Sequence, residues 1–242
     1  MSLLLLLGCG GAPLVFSDYE VAATSFCGAP ASPSHSRLRW VGERQTTLSL
    51  QIDQGRRALA GGSLFANLYT EGELPVDQYE VQLDSEGRLE LDTAALPETD
   101  AVWAFVFTRA WDSDEALGEL WLEPLEDAGP TILCAGHIND QGQLGEPTAL
   151  ADGATFELWA FTHDAAGLDL TLAIEGQAEG SPISVELGSA TGEVSASEEV
   201  GGWVSLSVPS GADLEQVAVS GKASLWDGGS LVSELGFVPN VE

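Results

Sequence analysis

The chain has 242 residues, enough for one large or two small domains, and 44% of them are hydrophobic, which is ample for a globular core. Thirty-eight acids against eight bases leave a net charge of −30. Such a surface repels nucleic acid and anionic lipid headgroups and attracts cations and basic partners.

The bases are unevenly spread. All seven arginines (37, 39, 44, 56, 57, 88 and 109) precede residue 110, and beyond residue 130 Lys222 stands alone against 17 acids. The plainest account of this charge is solubility, or adaptation to a salty medium that screens self-repulsion.

In chain order, the first feature is the run Leu3 to Leu7. Five leucines are too few for a membrane-spanning helix, which needs about 20 apolar residues. They also lack the alternation of a half-buried strand. A cleavable export segment fits: an apolar run followed by small residues. The stretch Leu6-Leu7-Gly8-Cys9 resembles the lipobox of bacterial lipoproteins. The resemblance implies cleavage after Gly8 and a diacylglyceryl group on Cys9, which becomes the first mature residue. It further implies an exported protein held at the outer membrane or cell surface, with the membrane as a partner through its lipid. No later apolar run is long enough to span a bilayer as a helix.

Alternating segments follow. In "TLSLQID", Leu48, Leu50 and Ile52 share one face. In "QYEVQLDSEGRLELD", Tyr79, Val81 and Leu83 alternate with polar neighbours, and Leu89 and Leu91 resume after Asp84-Ser85-Glu86-Gly87, which predicts a hairpin. "AVWAFVFTR" is apolar on both faces and predicts a central strand, and "GELWLEP" predicts another. The second half repeats the style with "ATFELWAFTH", "GLDLTLAIEG", "PISVELG", "GWVSLSVPS", "LEQVAVSG" and "SLVSELGFV", separated by Gly, Ser, Asp and Pro. One helical turn at "SDEALGE" is the most helix the pattern allows.

Short strands at this spacing predict an all-β protein of two immunoglobulin-like antiparallel β-sandwich domains in tandem. The expected division is a signal remnant over 1–9, an N-terminal domain over 10–146 and a C-terminal domain over 147–242. The segment 125–130 is the other candidate for the boundary. About 60 residues, "LSLQIDQGRRALAGGSLFANLY" and then "YEVQLDSEGRLELDTAALPE", also resemble carboxypeptidase-regulatory or transthyretin-like sandwiches. The likeness lies in an Asp53-x-Gly55 strand and turn followed by Asp84-x-x-Gly87, with Gly62 where Ala is usual and Leu89 where an aromatic is usual. It implies a structural or binding module without catalysis.

If Cys9 carries lipid, Cys27 and Cys134 remain, and an exported compartment is oxidising, so a Cys27–Cys134 disulfide is expected, with two buried thiols as the alternative. The later boundary places this bond inside one domain, whereas the earlier one makes it join two.

Catalytic signatures are absent from the sequence. His35, His137 and His163 form no spaced metal motif; His35 sits in a Pro/Ser-rich segment and His163 reads as a solvated loop residue. Asp112, Asp114, Glu115 and Glu119 gather enough carboxylates for a calcium reading, with solvated acids as the alternative. Trp103, Trp121 and Trp159 read as packing within strands. Trp40, Trp111 and Trp226 lie near strand ends with polar neighbours, which leaves a glycan-binding face open.

The expected function is therefore non-enzymatic: a lipid-anchored cell-envelope protein with a structural or adhesive role and a protein or glycan partner at the surface. A calcium or glycan binding module and a carboxylate-based hydrolase are the alternatives.

Overall fold

The computed structural model of the chain describes residues 12–23, 25–32, 35–55, 57–70, 72, 74–98, 102–113, 115–125, 129–138, 155–178, 184–194, 203–207 and 217–237. Cys9 and Asp114, both singled out above, lie outside these residues.

The described chain is all-β, as the alternation predicts. The first ten strands are β1 (Leu14–Val21), β2 (Ser25–Ser32), β3 (His35–Val41), β4 (Thr47–Gln54), β5 (Arg57–Ala58), β6 (Ser63–Tyr69), β7 (Asp77–Gln82), β8 (Arg88–Asp92), β9 (Trp103–Thr108) and β10 (Gly118–Leu125). They form two sheets. In one, β4 pairs with β1 along one edge and with β8 and β5 along the other. The second runs β2-β3-β10-β9-β6-β7. All its pairs are antiparallel except β3 and β10, which run parallel with Arg37 opposite Trp121 and Arg39 opposite Glu123. This parallel pair departs from the expected antiparallel sandwich.

The inward faces are those the period-2 pattern marks. Leu48, Leu50 and Ile52 from β4 meet Leu38, Trp40, Leu64, Ala66, Leu68, Phe105, Phe107, Leu120 and Leu122 from the facing sheet. Each fully buried leucine or isoleucine here contributes about 1.5–3 kcal/mol relative to an exposed one.

The expected hairpin at Asp84–Gly87 is instead a crossing between sheets. Strand β7 pairs with β6 and β8 with β4, so the turn carries the chain from one face of the core to the other. Asp84 Oδ1 accepts the Glu86 and Arg88 amides at 2.7 and 2.8 Å, and Gly87 supplies the φ of +85° the bend needs. These backbone bonds hold the exposed Asp84 carboxyl below its ordinary value.

The remaining strands are β11 (Thr131–Ile138), β12 (Thr155–His163), β13 (Asp169–Ala178), β14 (Ser184–Glu193), β15 (Trp203–Ser207), β16 (Val217–Asp227) and β17 (Ser230–Phe237). They form the sheets β11-β12-β15 and β14-β13-β16-β17. Ile132, Leu158, Ala160, Leu170, Leu172, Ile174, Ala223 and Leu225 make a separate second core.

Strand β11 bears on how the strands group. It pairs with β12, from Thr131 opposite His163 to Ile138 opposite Glu157, and its Ile132 and Ala135 enter the second core. The division expected after residue 146 would group β11 with the first ten strands, whereas its pairing and core contacts group it with β12 to β17, seven strands among the described residues. The physical reason is that both faces of β11 are needed. One fills the second core, and the other, through Leu133 and Cys134, lies against the first sandwich.

Candidate functional site

The chemistry of the molecule concentrates where the two sandwiches meet. The edge strand β2 carries Cys27 and Ala29 on its outer face, and the edge strand β11 brings Leu133 and Cys134 against them. Trp159 completes this small cluster, with Val41, Leu125 and Phe161 packed around it. Strand β2 holds Gly28 and Pro30, poor residues for a central strand but compatible with an edge. Gly28 is required for a second reason: a Cβ there would run into the ring of Tyr19.

Cys27 and Cys134 form a disulfide, with Cα atoms 5.8 Å apart and a sequence separation of 107. Because β11 belongs to the second sandwich, this bond joins two domains. Polar contacts flank it. Arg39 on β3 is buried; its Nη1 donates to the carbonyl of Ile132 across the seam and its Nη2 to Glu123 Oε1 at 3.1 Å. His163, at the end of β12, places Nδ1 3.0 Å from the Ser25 hydroxyl of β2.

A row of side chains continues outward along β3 and β10. Residues 35, 37 and 39 alternate with the core residues Leu38 and Trp40, so their side chains share the outer face. The His35 ring lies 4.3 Å from the Trp121 ring, and the Arg37 guanidinium sits 5.1 Å over the same indole. Arg37 Nε is 3.9 Å from Glu123 Oε2, so one carboxylate serves two guanidinium groups. Burial, and then the Arg37 charge, push His35 down to about 4, which leaves it neutral at pH 7. Burial lowers Arg37 as well, and Glu123 opposes that shift.

Between this row and the second sandwich lies a shallow cleft of about 30 Å³, room for one water molecule, lined by Ala29, Arg37, Leu133, Ala135, Leu235 and Phe237.

The expected site residues are distributed differently. Cys27 and Cys134 come together. Asp112 and Glu115 are exposed on the connection between β9 and β10, and Glu119 is half-buried on β10. Among the described residues no group of three metal-ligating side chains occurs. His163 is tied to the first sandwich rather than solvated in a loop, and His35 begins a strand and stacks on an indole. Trp40, placed near a polar strand end by its sequence, is fully buried, with Nε1 donating to the Glu43 carbonyl at 3.1 Å. Trp121 is half-buried on the outer face and outside the sandwich core. Trp111 is 45% exposed and stacks on Phe65 at 4.5 Å. Arg37, Arg39 and Glu123 escaped the sequence reading. The available signal was "HSRLRWV", in which two arginines alternate with core residues on a strand.

No model of a known protein family matches the sequence, and no curated protein matches it. Among solved structures, trypsin-activated α2-macroglobulin from Escherichia coli is similar over 96% of this chain and 16% of its own, at 14% identity and a TM-score of 0.31. The three N-terminal domains of the highly immunogenic outer capsid protein of bacteriophage RB49 are similar over 95% and 70%, at 14% identity and 0.26. The FN1–FN3 domains of chicken CNTN1 are similar over 95% and 68%, at 8% identity and 0.23. The chain thus spans 16% of the macroglobulin's length. None of these likenesses carries an argument about activity or partner.

Proposed function

We propose that the chain is a non-enzymatic, exported protein of the cell envelope, anchored through lipid on Cys9, whose two sandwiches serve a structural or adhesive role. The observation that supports this reading best is the Cys27–Cys134 bond between two separately cored domains. Disulfides persist in oxidising compartments outside the cytosol, and a bond of this kind limits motion between the domains it joins. The lipobox-like Leu6-Leu7-Gly8-Cys9 supports the anchor. Stable anchoring takes two acyl chains or their equivalent, which a diacylglyceryl group provides.

The test is fractionation of the producing cells and intact-mass analysis of the membrane-bound material. A diacylglyceryl adduct lost in Cys9→Ala, and no alkylatable thiol at Cys27 or Cys134 before reduction, are the expected results. Soluble protein in the cytoplasm with three free thiols would overturn the reading.

A second reading, glycan binding, draws support from the exposed ring of Trp111 on Phe65. The nearby outer face carries Asn67 and Gln78, whose side chains bond each other at 2.6 Å. Aromatic faces and side-chain amides suit sugar rings and hydroxyls. A glycan array with the wild-type chain and Trp111→Ala tests it, and equal responses from the two would remove it.

A further inference from the structure

The first sandwich is open along one side. Strands β7 and β8 part at the Asp84–Gly87 crossing and join different sheets, β7 beside β6 and β8 beside β4. Among the described residues no strand pairs with the outer edge of either. Packed sheets lie about 10 Å apart, so the gap between these two edges leads into the core.

A cavity of about 180 Å³ occupies that gap. Tyr79 and Val81 of β7 and Leu89 and Leu91 of β8 form its sides, and Phe105 and Phe107 of β9 form its floor. Val81 and Leu89 are buried, whereas Tyr79 and Leu91 are half-buried and mark the mouth. Glu80, Gln82 and Glu90 alternate with these residues along their strands, so their exposed side chains point away from the core. On that outer face Gln82 Nε2 donates to Glu80 Oε1 at 2.8 Å. Burial, and then the Asp77 carboxylate, keep the Tyr79 hydroxyl protonated by raising it to about 12. The inward-facing lining is therefore uncharged at neutral pH.

We propose that this cavity binds a small uncharged molecule, a single aromatic ring of about seven non-hydrogen atoms, which enters between Tyr79 and Leu91 and lies among Val81, Leu89 and Phe105. Native interiors leave few voids larger than a water molecule, so a space of this size in an otherwise filled core is set apart. A dry cavity of about 150 Å³ with an aliphatic and aromatic lining takes up benzene, which sets the size of the ligand. The rings of Tyr79, Phe105 and Phe107 follow one another at centroid distances of 6.3 Å and offer edge and face contacts to a further ring. An anion would lose its hydration and meet no partner inside, and the net charge of −30 repels it from the mouth. The inference goes beyond the envelope role and depends neither on Cys9 nor on the seam between the sandwiches.

The test is a titration of the disulfide-bonded chain with toluene and, separately, benzoate, followed by the methyl resonances of Val81 and Leu89. Leu172, in the second core, serves as the remote reference. Toluene should shift Val81 and Leu89 saturably and leave Leu172 unmoved. Benzoate, the same ring with a charge, should bind at least about tenfold more weakly. Leu91→Trp, which fills the mouth, should weaken toluene binding at least about tenfold. If that variant does not fold, Val81→Phe, which fills the cavity from the opposite strand, should weaken it equally. The proposal fails if toluene leaves Val81 and Leu89 unmoved, which would make the space a packing void only. It fails equally if Leu172 moves with them, if benzoate binds as tightly as toluene, or if the filling variants bind toluene as the wild type does.

Discussion

Removing the disulfide with Cys27→Ala and Cys134→Ala should destabilise the two sandwiches unequally. Cys134 lies within the first strand of the second sandwich, so nearly all of the 107-residue separation is chain of the first. When the first sandwich unfolds beside a folded second, the bond closes a loop of that length, which is worth about 4.8 kcal/mol in the chain-entropy treatment. When the second unfolds beside a folded first, the effective loop runs only from Leu125 to Cys134. A loop of roughly nine residues is worth about 2.6 kcal/mol. With an unfolding entropy of about 2.1 cal/mol/K per residue over roughly 110 residues, these correspond to falls of about 21 °C and about 11 °C. Differential scanning calorimetry measures both, and Leu172→Ala, which cuts only the second core, assigns the transitions. Equal falls, or a larger fall in the second transition, would refute the assignment of β11. A single transition before and after removal would refute the independence of the cores.

Arg39→Met should cost about 2–4 kcal/mol in chemical denaturation, because it leaves the Ile132 carbonyl and Glu123 without their buried donor; a loss under 0.5 kcal/mol would show that the contact contributes little. His35 binds fewer protons folded than unfolded between about pH 4 and its ordinary 6.5, so stability is complete above that window and falls as pH drops through it. Because the ring is partly exposed, solvent screening reduces the effect to about 1–2 kcal/mol. The fall in Tm between pH 7 and pH 5 should shrink in His35→Phe, and an unchanged fall would sink the assignment. Gly28→Ala should destabilise the first sandwich by about 1–3 kcal/mol through collision with Tyr19, and Gly28→Ala combined with Tyr19→Ala should recover part of that loss.

The sequence was most readable where a strand has one wet face and one dry one. Leu48, Leu50 and Ile52, or Leu170, Leu172 and Ile174, announce both strand and core because polar residues separate them. It was least readable where a face that looks wet is covered by another domain. Nothing local to Arg37 and Arg39 marks a cover over their face of the strand, yet the second sandwich lies beside them. Ile132 to Ala135 of β11 are buried, with side chains on both faces, and nothing local says which core claims them. The Asp84–Gly87 turn shows a related limit: its carboxylate and glycine fix a reversal of the chain but leave open whether the next strand pairs with the last or crosses to the other sheet. The cavity between β7 and β8 was hidden for the same reason as the crossing, since its two walls lie in different sheets.

The parallel pairing of β3 with β10 also governs the order of assembly. His35 and Glu119 are neighbours in space but 84 positions apart along the chain. The sheet bearing Cys27 therefore cannot be completed until nearly all of the first domain has been delivered, and non-local pairing of this kind is slow to form. Cys134 arrives only a few residues later. A maturing chain thus meets its correct thiol partner just after the last strand of the domain is in place, so that oxidation seals a nearly finished fold. With Cys9 capped by lipid, only one pairing would be open to the two thiols that remain.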